Sequence, residues 1–100
     1  TAFLCSSIAQ AMGVMRVAKA MGLVIGKDIS LIAHDDRIAD IRAESFDPPL
    51  TATQSSIGAA GKRVVELLIQ QLRNPTEPLP SEVWPVDLVV RSSTGPAPAP

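Results

Sequence analysis

The chain has 100 residues, 46% of them hydrophobic and 19% charged, which supplies one compact core and leaves no room for a second domain. Nine basic against ten acidic residues give a net charge of −1, with Phe3, Phe46 and Trp84 as the only aromatics; phosphate binding needs a positive surface, so this chain does not read as a nucleic-acid grip. The lone Cys5 excludes an internal disulfide framework and suits a reducing, cytoplasmic setting, and the apolar stretches, broken by Arg16, Lys19 or Glu66, fall short of the ~18–20 apolar residues of a membrane span.

The sequence opens at Thr1 without Met or a charged-then-apolar leader, which reads as a cut from something longer. Ala2 to Ser6 is a short apolar run that suits a buried strand. Ser7 then caps a helix running from Ile8 to Met21, and Gly22 supplies the left-handed residue just past its end. On a helical wheel Ala11, Val14, Ala18 and Met21 form a stripe for the sheet, while Ile8, Met12, Met15, Arg16 and Lys19 form a second face of mixed character. After Lys27-Asp28, the run Ile29–Ala33 reads as a second buried strand ending in His34-Asp35-Asp36. Strand, helix, strand within about 35 residues is the crossover unit of a parallel sheet, so the fold class is α/β.

Residues 37 to 47 are polar and weakly patterned, with one short helical turn expected around Ile38–Ile41. Pro48-Pro49 forces an extended entry into a third strand, Leu50–Thr53. Ser55 or Ser56 caps the next helix, in which Ile57, Ala60, Val64, Val65, Leu68 and Leu72 fall at helical spacing, and Asn74-Pro75 stops it. Val83 to Val90 reads as a strand broken by Pro85, its first half an edge, and the Ala/Pro-alternating tail after Gly95 as disordered.

Ligands of an open parallel sheet sit outside the carboxyl ends of its strands. Here those ends carry Ser6-Ser7, His34-Asp35-Asp36 and Thr53-Gln54-Ser55: hydroxyls, amides and carboxylates suited to a sugar or related polyol, with no phosphate cradle. Ser7 and Ser55 can equally serve only as helix caps. A Ser-His-Asp hydrolase is disfavoured because no G-x-S-x-G elbow is present and because successive strand residues His34 and Asp35 point to opposite faces. One His and one Cys on separate strand ends do not make a metal site, and no cofactor is called for. His34 is expected to pack against the following loop, and Cys5 to be a small core residue.

Leu4-Cys5-Ser6-Ser7, Ala11-Met12-Gly13, Gly22-Leu23, Lys27–Ile32, Asp35-Asp36, Pro48-Pro49-Leu50-Thr51, Gly61 and Leu88–Thr94 together resemble the C-terminal part of the lac repressor and galactose repressor family of bacterial transcription regulators. The resemblance runs in register from Thr1 to about Gly95. It implies a periplasmic-binding-protein-like core of two subdomains around a cleft, with residues 1–95 forming the later portion of the C-terminal subdomain and residues 96–100 a disordered tail. It also implies effector contacts at Ser7, Asp35, Ser55 and Ile57, with Asp35 the carboxylate whose loss would weaken binding while barely changing folding. A homodimer contact is implied at Met12, Met15, Arg16 and Lys19 together with Ile38, Ile41 and Arg42. Operator DNA would be read only through a helix-turn-helix outside these residues, and no catalysis or membrane contact is implied. Two positions depart from the family pattern: Ile8 stands where an Asp is common, and Ala33-His34 where a Gly-aromatic pair is usual. A sugar-binding protein of a transport system shares the same core and is the alternative reading.

Overall fold

The computed structural model describes residues 1–38 and 40–100. Strand β1 (Ala2–Leu4) leads into helix α1 (Ile8–Ala20), which returns to β2 (Ser30–Asp35); a 3₁₀ turn (Ala43–Ser45) precedes β3 (Thr51–Gln54), and helix α2 (Ile57–Arg73) precedes β4 (Asp87–Val89). The four strands form one sheet in the order β1-β2-β3-β4. The first three are parallel, with Leu4 beside Ile32 and Asp35 beside Gln54, and β4 closes the edge antiparallel to β3. The sheet is therefore α/β and mostly parallel, as expected, with an antiparallel last strand that the sequence did not announce. Pro85 has no N–H to give to a ladder, and the strand accordingly forms only at Asp87–Val89 rather than from Val83.

Helix α1 forms where the caps predict. The Ser7 hydroxyl accepts the Gln10 N–H at 3.3 Å, and past the other end Gly22 takes a left-handed φ of 72° while the Leu23 N–H reaches the Ala18 carbonyl at 2.9 Å. Cys5, Ile8 and Ala11 meet Leu31, Ala33, Ala43, Leu50 and Ala52 in the core, with Val14 and Met15 packed at its border. Two wheel assignments are thereby corrected. Ile8 belongs to the core face, and Met21, at the helix end, remains exposed.

The chain end fastens the amino-terminal side of this sheet. Ser93 is wholly buried: its hydroxyl donates to the Leu31 carbonyl at 2.6 Å and accepts the Thr51 N–H at 2.7 Å, so one oxygen ties β2 to the start of β3. Its own N–H reaches the Pro49 carbonyl, and its carbonyl accepts the Leu31 N–H. Arg91 donates to the Leu50 carbonyl at 2.7 Å. Gly26, at φ 88°, lies so close to the Ser92 carbonyl that a Cβ would overlap it, so a side chain there is incompatible with the stitched turn.

Helix α2 behaves differently. Its cap is Ser56, which accepts the Ala59 N–H at 3.1 Å, and none of its residues is buried. Of the predicted apolar stripe, Ile57, Val64, Val65, Leu68 and Leu72 are exposed and Ala60 half-buried, because α2 does not pack on the sheet. The segment before β4 returns alongside it, held by the Arg63 guanidinium, whose Nε donates to the Glu82 carboxylate at 2.9 Å. The Trp84 indole N–H donates to the same carboxylate at 3.1 Å. The Arg63 bond, and secondarily the Trp84 bond, hold the Glu82 carboxyl below its ordinary value of 4.5. A carboxylate whose pKa is depressed by folding contributes stability above its unfolded value and loses it as the pH falls through the folded one. Trp84 is the one tryptophan, so its emission is expected to change in a step below pH 4.5, and Glu82→Gln to abolish that step; an identical titration in the variant would remove Glu82 as its source.

Candidate functional site

Side chains on β2 alternate between two environments. Leu31, Ala33 and Asp35 face the core under α1, whereas Ile32 and His34 face the other way and are only partly covered. The alternation that separates His34 from Asp35 was legible; its consequence for Asp35 was not drawn.

Asp35 is 1% exposed. One carboxylate oxygen accepts the Arg37 N–H at 2.8 Å and the other the Ala43 N–H at 2.9 Å, with the Arg37 guanidinium 3.6 Å away. Both oxygens are thus spent on shaping the loop that follows β2. They bend the chain at Arg37, which takes a left-handed φ of 59°, and pin the buried 3₁₀ turn. The expectation that Asp35 is removable with little effect on folding is corrected: burial of an unpartnered carboxylate would be prohibitive, and this one is kept by two backbone donors. The helical turn expected around Ile38–Ile41 includes residue 39, outside the described residues; the turn that is present lies further on, at Ala43–Ser45. Its Glu44 receives Arg37 at 3.0 Å and sits within 3.7 Å of Arg91. The Glu44 backbone N–H, ahead of Arg37, lowers its carboxyl pKa.

The rim is organised by His34, one of the strand-end residues named above, and not by packing of its ring against the following loop. Its Nδ1 lies 2.7 Å from the Thr53 hydroxyl and its Nε2 3.0 Å from the Ser55 hydroxyl and 3.1 Å from an Asp36 carboxylate oxygen. A carboxylate only accepts, so Nε2 carries a proton and donates to Asp36, while the Thr53 hydroxyl, able to donate or accept, pairs with Nδ1. Ser55 then also accepts from Nε2, which leaves its own hydrogen free to donate. Asp36, with its side chain 37% exposed, keeps its second oxygen free to accept. The cluster presents a donor beside an acceptor, the pair that neighbouring hydroxyls of a polyol satisfy. It is not a catalytic relay: serine and carboxylate share one ring nitrogen, whereas general-base activation needs the carboxylate on the far nitrogen from the nucleophile.

Of the residues named from sequence, Ser55 thus enters the cluster, freed from capping because Ser56 does that work. Ser7 caps α1 and also lines, with His34 and Asp36, a hollow of about 240 Å³. Ile57 opens α2 half-exposed beside the rim, its N–H toward the Asp36 carbonyl. The strand-end clusters His34-Asp35-Asp36 and Thr53-Gln54-Ser55 meet here, with Thr53 and Asp36 both on the His34 ring. The signal for this meeting was the parity of β2 together with the pairing of His34 opposite Thr53. The same hollow is walled by Met12, Ile38 and Ile41, all three exposed, with Arg16 and Lys19 exposed on α1. Met15 is corrected: it packs at the border of the chain's own core. Arg42 is half-buried. Among the described residues no group of three metal-ligating side chains occurs, and no helix is long and apolar enough to cross a membrane.

Residues 1–94 match the family described as periplasmic binding protein-like domain. The chain belongs to that family. Within it, the periplasmic binding protein-like domain seen here is of the kind that forms the effector-binding core of lac repressor and galactose repressor type regulators. It is 49% identical over 98 residues to the HTH-type transcriptional regulator AglR of Rhizobium meliloti (strain 1021), and 36% identical over 98 residues to MalR of Streptomyces coelicolor (strain ATCC BAA-471 / A3(2) / M145); 98% of the chain is covered in each case. The chain spans 28% of the length of both relatives. Among solved structures, a dimeric lac repressor with an 11-residue C-terminal deletion superposes with a TM-score of 0.77 at 32% identity, covering 99% of this chain and 35% of that one. A LacI family regulator from Enterococcus faecium with bound ribose gives 0.81 at 26% identity, covering 98% and 35%. The CelR–cellobiose complex gives 0.77 at 25% identity, covering 92% and 27%.

Proposed function

We propose that this chain is the effector-sensing and dimerising portion of a bacterial transcription regulator that works in the cytoplasm without catalysis. A small neutral polar molecule, a sugar or sugar derivative, binds at the rim formed by Ser7, His34, Asp36, Ser55 and Ile57 and favours one arrangement of the cleft over another. Operator affinity, exerted through a DNA-binding domain outside this chain, changes only by the difference in effector affinity between the two states. The observation that carries the reading is the His34 cluster, where a hydroxyl donor and a carboxylate acceptor lie side by side. Asp35 acts behind this rim by fixing the loop that carries Asp36. The relatives are regulators rather than transport components, which leaves the transport reading unsupported.

In calorimetric titrations of the full-length protein with ribose, glucose and cellobiose, Asp36→Asn is expected to weaken binding of the accepted sugar about tenfold, the worth of one charge-assisted hydrogen bond, with an unchanged melting temperature. Unchanged affinity would take Asp36 out of the site.

The dimer surface is the apolar patch of Met12, Ile38 and Ile41, edged by Arg16 and Lys19 on α1. Charged rims around apolar centres suit subunit contacts. Met12→Glu is expected to shift sedimentation of the full-length protein from dimer toward monomer at micromolar concentration; a variant as dimeric as the parent would return this patch to intrachain packing.

A further inference from the structure

Both ring nitrogens of His34, the one histidine of the chain, have hydrogen-bond partners, and its side chain is 27% exposed, so solvent protons reach it. Imidazole is the side chain whose ordinary titration falls between about pH 5 and 8. The partners fit either charge state. The Asp36 carboxylate accepts from Nε2 whether the ring is neutral or charged, and the Thr53 hydroxyl, 2.7 Å from Nδ1, donates to a bare nitrogen or accepts from a protonated one by turning about its C–O bond. A proton therefore enters or leaves Nδ1 with no heavy atom moving.

Among the described residues, Asp36 is the one group in ion-pair contact with the ring. The strand beside it and the residue after that strand offer the Thr53 and Ser55 hydroxyls, and α1 offers Ser7 across the hollow. The buried Asp35 is bound to the Arg37 and Ala43 N–H groups, the Arg37 guanidinium is on Glu44, and Asp87 of β4 stands opposite Gln54, one position beyond Thr53. With the ring neutral, the His34–Asp36 pair carries one negative charge, and the free Asp36 oxygen is a charged acceptor for a ligand hydroxyl. With the ring protonated, the two charges offset each other and that oxygen accepts more weakly. We propose that His34 makes effector binding at this rim proton-linked: the rim holds a polyol through Asp36 while the imidazole is neutral and loosens it once the imidazole is protonated, so that binding expels a proton. This regulation rests on the sugar reading of the rim and adds to it. Ser55 works in the opposite direction, since a charged ring makes its hydroxyl a better donor, but its bond to the ligand is a neutral one and is outweighed by the charge-assisted bond on Asp36.

The test is calorimetric titration of the full-length protein with ribose, glucose and cellobiose at about pH 8 and about pH 5.5, a window that spans the ordinary imidazole range and lies above the ordinary carboxylate range. It is repeated on His34→Gln and Asp36→Asn, each first shown to melt cooperatively at both pH values. The accepted sugar is expected to bind the parent about fivefold more weakly at the lower pH, and titrations midway, in buffers of different ionisation enthalpy, should show proton release. His34→Gln keeps a donor toward Asp36 but gains no proton, so its two affinities should agree within about twofold. Asp36→Asn removes the charge on which the proton acts and should flatten the dependence as well. The ratio of affinities isolates His34 from any titrating group elsewhere in the longer protein, whose effect both variants keep. Equal affinity of the parent at both pH values, proton uptake on binding, or an unchanged ratio in His34→Gln overturns the link while the rim stands. Should His34→Gln fail to fold, a ratio undiminished in Asp36→Asn overturns it equally. A parent that binds none of the three sugars at either pH removes the rim reading, and the link with it.

Discussion

Asp35→Ala is expected to destabilise the fold by about 3 kcal/mol, a figure set by the loss of two charge-assisted bonds worth roughly 1.5–3 kcal/mol each and acting non-additively. Two backbone donors lose their acceptor at once. The Ala43 N–H is the more serious loss, because Ala43 is wholly buried and has no route to solvent without unfolding the 3₁₀ turn. The Arg37 N–H loses the bond that offsets its left-handed backbone. Asp35→Asn keeps one acceptor oxygen but turns an amide toward the second N–H, so its loss should be intermediate or equal, never smaller than that of Asp36→Asn. The measurement is denaturant unfolding of the three variants side by side in the full-length protein. An Asp35→Ala midpoint equal to the parent's would mean that the loop holds itself and that Asp35 is available to a ligand after all. Because the loop carries Ile38 and Ile41, the same variant should also weaken the dimer, which Asp36→Asn should leave intact.

The βαβ unit, the Ser7 cap and the left-handed Gly22 are local and carry their own signals within a few residues. The core placement of Asp35 was also accessible: Leu31, Ala33 and Asp35 alternate, and two apolar residues at even spacing place the third on the core face. The place of Asp35 at the strand end and the family resemblance point to a ligand, whereas side-chain parity points to the core. The His34 cluster needed the β2–β3 register, which brings His34 opposite Thr53 across 19 residues of sequence. Register follows from burial and loop geometry and is not written in any short segment. The exposure of α2 was hidden for another reason. Its periodicity correctly marks an apolar face, but periodicity does not say whether the face is covered by this stretch of chain.

Ser93→Ala is expected to cost about 2–5 kcal/mol, a large part of the roughly 5–15 kcal/mol that a domain has in total. The Leu88–Thr94 ending was read as a mark of resemblance, and nothing in its composition signals the contact that Ser93 makes across 62 residues to Leu31 and 42 to Thr51. The hydroxyl serves two strands, as donor to the β2 carbonyl and acceptor from the β3 N–H. Its removal therefore leaves one acceptor and one donor unmatched in a place no water reaches, since both Leu31 and Thr51 are buried. Ser92→Ala is the internal comparison: Ser92 is exposed, and its loss should stay within about 0.5 kcal/mol. The neighbouring contacts reinforce the site without duplicating it. Arg91 holds the Leu50 carbonyl and Thr94 lies 2.8 Å from the Thr51 hydroxyl, but neither reaches the Thr51 N–H. Hydrogen exchange gives the sharper readout, because the Thr51 amide should lose protection in Ser93→Ala more than amides of α2 do. Equal stability of Ser92→Ala and Ser93→Ala would show that the ladder from β2 to β3 closes without its clasp. A selective loss would place Ser93 among the elements that keep the rim's strands in register, although it lies at the opposite end of the sheet from the His34 cluster.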